Sequence, residues 1–252
     1  MSDIIVFGAG GRAGRAAVHE ARRRGHRVTA VVRDPAGHDD LTAEGARIVA
    51  GDITDADGIA RLARGHDAAI AAAYDFGTPP GVFFPAAARA LLDGLAGAGV
   101  PRLLAVGLAS VLETASGTLL MDTPGYPQEY RSFFLGHAAG NDVLRTAGTD
   151  LDWLILSPSG DFDHGGPRTG RYRTAPADAD SRISYADFAI ALLDEIDSPA
   201  HHRVHLGVEK GTDTMKHPGE KDTDTTEDPV QKGTDATEHP GASEDSRVEG
   251  AR

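Results

Sequence analysis

Four glycines near the amino end are the first residues whose spacing implies chemistry. Gly8, Gly10, Gly11 and Gly14 follow directly on the apolar run Ile4-Ile5-Val6-Phe7, and a segment of helical composition runs on to Arg24, where Gly25 stops it. Glycines so placed let a buried strand turn tightly, bring backbone against a diphosphate, and offer that diphosphate the free N–H groups at the positive end of a helix. Arg12 and Ala13 lie inside the turn. A second apolar run, residues 28–32, follows at βαβ spacing and ends in Arg33-Asp34-Pro35. A carboxylate at this strand end accepts from both ribose hydroxyls of NAD, whereas a cation favours the additional phosphate of NADP. Arg33 takes the strand end and Arg12 is expected to reach the same phosphate. NADP(H) is therefore expected in preference to NAD(H), with Asp34 next door keeping NAD open.

Further candidates stand where later strands end. Asp52 and Ile53 follow the third apolar run, Asp52 to accept from an adenine amino group and Ile53 to pack beside the ring; an N-cap or turn role for Asp52 is the structural alternative. Ala73, closing a run of alanines, and Tyr74 after it would flank the cofactor's path. Gly107 and Ser110 follow the fifth strand, where the Ser110 hydroxyl would face the nicotinamide. Ser157, Pro158 and Ser159 are expected after the sixth strand, passing the nicotinamide edge. His137, on a helix expected from about 130 to 146, could relay a proton or touch a flavin, or simply lie on the helix surface. Residues 114–134, with Met121, Tyr126, Tyr130, Phe133 and Phe134, read as a substrate lid whose aromatics either sandwich a flat ring or pack the lid to the core. No metal is expected. Asp161-Phe162-Asp163-His164 reads as turn chemistry, and His201-His202 point to opposite faces of an extended segment.

These residues need a frame. Seven short apolar runs alternate with helical patterns, including a helix after Asp55, one opened by Pro85, and one capped by Ser184-x-x-Asp187. Such alternation specifies an α/β fold, a Rossmann-like three-layer sandwich with a mostly parallel sheet.

Several of these segments together, Gly8-x-x-Gly11-x-x-Gly14, Val32-Arg33-Asp34-Pro35, Gly51-Asp52, Val106-Gly107-Leu108-Ala109-Ser110, Leu154-Ile155-Leu156-Ser157-Pro158 and Ser184-Tyr185-x-Asp187-x-Ala189, resemble the atypical short-chain dehydrogenase/reductase group. Within it the chain is similar to small NAD(P)H-binding proteins of the NADH-flavin reductase-like kind, related to flavin reductase and biliverdin-IXβ reductase, over residues 3–208. The resemblance implies a serine lining the active site at position 110. It also implies a histidine near 137, seven residues before a Val-Leu pair that here is Val143-Leu144.

Ordinary members of the group use a Tyr and a Lys four residues later, the Lys lowering the phenol's pKa. All four lysines of this chain lie at or beyond position 210, so that pair is absent. Reduction of a flavin such as FMN or FAD, or of a similar planar conjugated acceptor, asks mainly that two flat rings be held together. An NAD(P)H-dependent reductase of that kind is the expected activity. The alternatives are a non-catalytic NADP(H)-binding redox sensor resembling NmrA-like regulators, or a specialised pathway reductase or isomerase.

Bulk composition bounds the rest. Residues 209–252 hold twelve acidic and six basic side chains and no Ile, Leu, Phe, Tyr or Trp, so they are expected to be a disordered acidic tail beside a domain of residues 1–208. A net charge of −13 argues against nucleic acid as a partner, and the absence of cysteine, signal segment or spanning apolar run argues for a cytoplasmic monomer or homodimer away from membranes.

Overall fold

The computed structural model describes residues 1–211. The first strand β1 (Asp3–Phe7), buried from Ile4 onward, leads through the glycine turn into α1 (Arg12–Arg23). Gly25, at φ +84°, then reverses the chain into β2 (Arg27–Val32). A short α2 (Asp39–Ala43), β3 (Arg47–Ala50), α3 (Ala56–Leu62), β4 (Ala68–Ala71), α4 (Pro80–Ala98) and β5 (Arg102–Val106) complete the first half. The second half carries α5 (Arg131–Thr146), β6 (Asp152–Pro158), short strands β7 (Asp161–Asp163), β8 (Tyr172–Thr174) and β9 (Arg182–Ser184), then α6 (Tyr185–Asp197) and β10 (Val204–Lys210).

The main sheet runs β3-β2-β1-β4-β5-β6-β10-β8, parallel throughout except for β8 against β10. One face buries Val6, Ile70, Leu104 and Leu154 with Val18 of α1 and Phe188 of α6; the other buries Ile5, Leu103 and Ile155 with Ile59 of α3 and Leu91 of α4. The order of the strands reverses between β1 and β4. In such a sheet that is where the carboxyl ends of the strands open a crevice for a ligand.

The three-layer α/β expectation holds, and several local expectations change. Pro80, not Pro85, opens α4; Pro85 sits in the second turn, opposite the exposed Gly81, whose carbonyl can turn to solvent. Ser157 and Pro158 belong to β6 instead of following it, because β10 continues to pair with them through Gly207 and Val208. Glu209 and Lys210, assigned to the tail by composition, pair with Arg173 and Tyr172 of β8. The remainder of the expected tail, from 212, lies outside the described residues. Ser184 caps α6 by accepting from Asp187 N–H, but the Asp187 carboxylate does not return to Ser184. It accepts from Thr169 N–H and Oγ1 and from Gly170 N–H. No helix among the described residues is long and apolar enough to cross a membrane.

Candidate functional site

The glycine turn is built so that side chains cannot enter it. Gly8 has φ +80°, and a Cβ there would lie 2.6 Å from the Ala72 carbonyl; one on Gly14 would lie 2.2 Å from the Gly8 oxygen. Gly8 and Ala9 donate to the Val31 carbonyl, and Gly11 N–H donates to Gly8 O at 3.0 Å, which locks the turn's path. α1 starts on Gly11 with no side-chain cap and no acid in its first turn, leaving the N–H groups of residues 12–14 and the helix's positive end for an anion.

A cavity of about 570 Å³ opens over this turn, where β1, β2, β3 and β4 end. Of the residues singled out in the sequence, Gly8, Gly10, Gly11, Arg33, Asp34, Gly51, Asp52, Ile53, Ala73 and Tyr74 line it. Asp52 is exposed there and accepts from Thr54 N–H and Oγ1, so it also serves the turn role considered for it. Ile53 is buried. Arg12 is not brought to Arg33. Its guanidinium reaches His164 Nδ1 at 3.0 Å, which Tyr185 Oη also meets, while Arg33 pairs with Asp75 at 2.6 Å. The hydroxyl of Thr78 and then the guanidinium of Arg33 push the Asp75 carboxyl down to about 2. Ala13 lies half-buried in the first turn of α1.

The other predicted residues gather further along the sheet edge. Ser110 is wholly buried in a single 3-10 turn after β5, and its Oγ has no hydrogen-bond partner among the described residues. Ser157, also wholly buried, meets His205 Nε2 at 2.7 Å, and Gly107 lies over both: a Cβ on it would be 2.5 Å from Ser157 Oγ and 3.1 Å from His205 Nε2. Ser159 turns away from this group, donating its hydroxyl to the Ala175 carbonyl. Pro158 is buried beside Val208.

His137 is half-buried on α5 with its ring centre 3.7 Å from that of Phe84 and 5.1 Å from that of Phe133. Burial, and secondarily His205, push it down to about 3, so it stays neutral at physiological pH. Burial, then Arg145, push His205 down to about 4. Phe133 and His137 stand one helical turn apart, at the spacing a Tyr-Lys pair would need. The large apolar residues of the lid divide. Met121 and Phe134 are buried together with Val111 and so pack the lid down, while Phe133 joins an aromatic wall with Tyr74 and Phe84, which stack at 5.3 Å and 6°.

The profile of the NAD(P)H-binding family matches residues 8–199. This chain belongs to that family. The glycine cradle, the bare helix terminus and the orphaned buried hydroxyl of Ser110 all fit the dinucleotide the family binds. YwnB of Bacillus subtilis, a protein without a described role, is 38% identical over 209 residues, covering 79% of this chain and 93% of that one. A Burkholderia pseudomallei structure proposed as an exported protein is 36% identical with a TM-score of 0.72, covering 83% of this chain and all of its own. A Streptococcus pneumoniae structure proposed as an NADH-flavin reductase is 32% identical with a TM-score of 0.71, covering 84% of this chain and all of its own. These family resemblances agree with the atypical short-chain dehydrogenase/reductase group seen in the motifs.

Sequence reasoning missed three residues of the site in this family member. His38 lines the cavity beside Gly10. Arg15 Nη2 lies 2.7 Å from its Nδ1, and since a guanidinium can only donate, the proton of the neutral ring sits on Nε2. Asp75 was detectable as the first carboxylate after the alanine strand. His205 carried no local signal, because its neighbours Ser157 and His137 are distant in sequence.

Proposed function

We propose that this protein is a reductase that binds NADPH in preference to NADH and passes hydride to a flavin or similar planar conjugated acceptor. Family membership and a relative proposed as an NADH-flavin reductase support an NAD(P)H-dependent oxidoreductase. The choice of coenzyme and of acceptor rests on the residues. Arg33 at the end of β2, with His38 Nε2–H across the cavity, supplies donors suited to an added phosphate. The glycine turn and the first N–H groups of α1 would hold the diphosphate, and Ser110 would reach the nicotinamide carboxamide or the acceptor.

The observation that carries the acceptor is the pair Phe133 and His137. An apolar ring and a histidine held neutral stand at the one-turn spacing of a Tyr-Lys pair, and neither can hand a proton to a carbonyl oxygen as that pair would. Bound reduced nicotinamide would supply hydride; the chain would supply an aromatic wall, Tyr74, Phe84 and Phe133, of which Tyr74 lines the cavity, to orient a flat partner. Purified protein mixed with NADPH and FMN or FAD should consume reduced nicotinamide, followed by its absorbance. Tight NADPH binding without turnover of any flavin or bilin-like acceptor would refute the activity and leave a sensor.

A further inference from the structure

Asp75 closes the cavity from the β4 side. Its carboxylate accepts from Thr78 Oγ1 at 2.7 Å and from Gly77 N–H at 3.2 Å, and meets Arg33 Nη1 at 2.6 Å. In the sheet β1 lies between β2 and β4, so an ion pair joining the ends of those two strands spans the glycine turn that leaves β1. Arg33 and Asp75 line the same cavity, and Asp75 is the one acidic partner of Arg33 among the described residues. The arginine that attracts a phosphate is therefore already held by a carboxylate. Arg33 is 66% exposed, so the pair is weak enough to be exchanged.

We propose that Asp75 is a selectivity residue that holds Arg33 until a 2′-phosphate takes the guanidinium from it. This rests on the reading of the cavity as the seat of the dinucleotide. A coenzyme without the extra phosphate leaves the Arg33–Asp75 pair in place and feels little of it. A coenzyme with that phosphate must break the pair and sit close to the displaced carboxylate. Asp75 thus lowers affinity for the phosphorylated coenzyme selectively and narrows the preference that Arg33 creates. The side chain has a second, neutral task, accepting from Thr78 and Gly77 at the start of the loop into α4. The two bonds use different carboxylate oxygens, so in an asparagine Oδ1 keeps the Gly77 N–H while Nδ2 donates to Thr78 Oγ1, and charge can be removed with both loop contacts kept.

The test is calorimetric titration of the full chain with NADPH and with NADH, for wild type, Asp75→Asn, Arg33→Gln and the double variant. Asp75→Asn should tighten NADPH about two- to fivefold, the range an exposed ion pair allows, and leave NADH unchanged. In the Arg33→Gln background the same substitution should give a smaller selective gain than in wild type, because the ion pair is gone and only the carboxylate's repulsion of the phosphate is left to relieve. Equal tightening of both coenzymes would overturn the proposal, since the carboxylate would then repel the common diphosphate. So would unchanged NADPH affinity in a variant that melts like wild type. Binding of neither coenzyme to wild type would instead overturn the underlying reading of the cavity, and this inference with it.

Discussion

Replacing Ser110 by alanine should stabilise the protein while impairing it. The residue is wholly buried, and its hydroxyl has no hydrogen-bond partner among the described residues. A buried hydroxyl left unpaired costs about 1–3 kcal/mol of desolvation, and alanine removes that cost while leaving a gap of only one oxygen atom. Part of the gain is lost to poorer packing, so a net increase of about 1 kcal/mol is expected, or a rise of about 2–4 °C in Tm for a domain of this size. If the hydroxyl serves the nicotinamide carboxamide or the acceptor, the loss of one hydrogen bond in the complex should lower kcat/KM by about tenfold. Urea unfolding without coenzyme measures the first effect and steady-state NADPH oxidation the second. A variant destabilised by more than about 1 kcal/mol would show that the hydroxyl has a structural partner, and unaltered kinetics would remove it from the site.

Arg33→Asp should weaken NADPH by about 10- to 100-fold, the worth of a charge-assisted hydrogen bond, and favour NADH; equal loss for both would make Arg33 a scaffold residue. Gly14→Ala should cost about 3 kcal/mol or more, because its Cβ meets the Gly8 oxygen at 2.2 Å and backbone cannot give way. Gly97→Ala on the exposed side of α4, whose Cβ meets only Ala60 Cβ at 3.5 Å, should gain about 0.5–1 kcal/mol, and thermal melts of the two compare a functional with an ordinary glycine. His137 and His205 are held below their usual value of 6.5, at about 3 and about 4, so between about pH 6.5 and 4 the unfolded chain binds more protons than the folded one. Stability should therefore fall as pH drops through that window, by up to about 1.4 kcal/mol per pH unit for each histidine. His205→Gln should flatten the slope in urea unfolding, and an unchanged slope would mean that His205 is accessible to protons in the fold.

Sequence by itself was sufficient for whatever depends on neighbours along the chain. The strand, glycine turn and helix at the start are local: Gly14 is demanded by its approach to the Gly8 carbonyl within one supersecondary unit, Gly8 by its positive φ as well as by its approach to Ala72 beyond β4, and alternating apolar runs then specify a parallel sheet. Arg33 was legible for the same reason, as the residue directly after a strand, β2, whose end faces the crevice. Tertiary structure decided what depends on strands that are adjacent in space only. The sheet order sets β4 two strands from β2, which gave Arg33 the carboxylate of Asp75 as its partner instead of the company of Arg12. It also laid β10 against β6, so that His205 from the end of the chain reached Ser157 at 2.7 Å beneath Gly107. A hydrogen bond needs its partners placed to a few tenths of an ångström, and periodicity along a chain does not specify distances between residues dozens of positions apart.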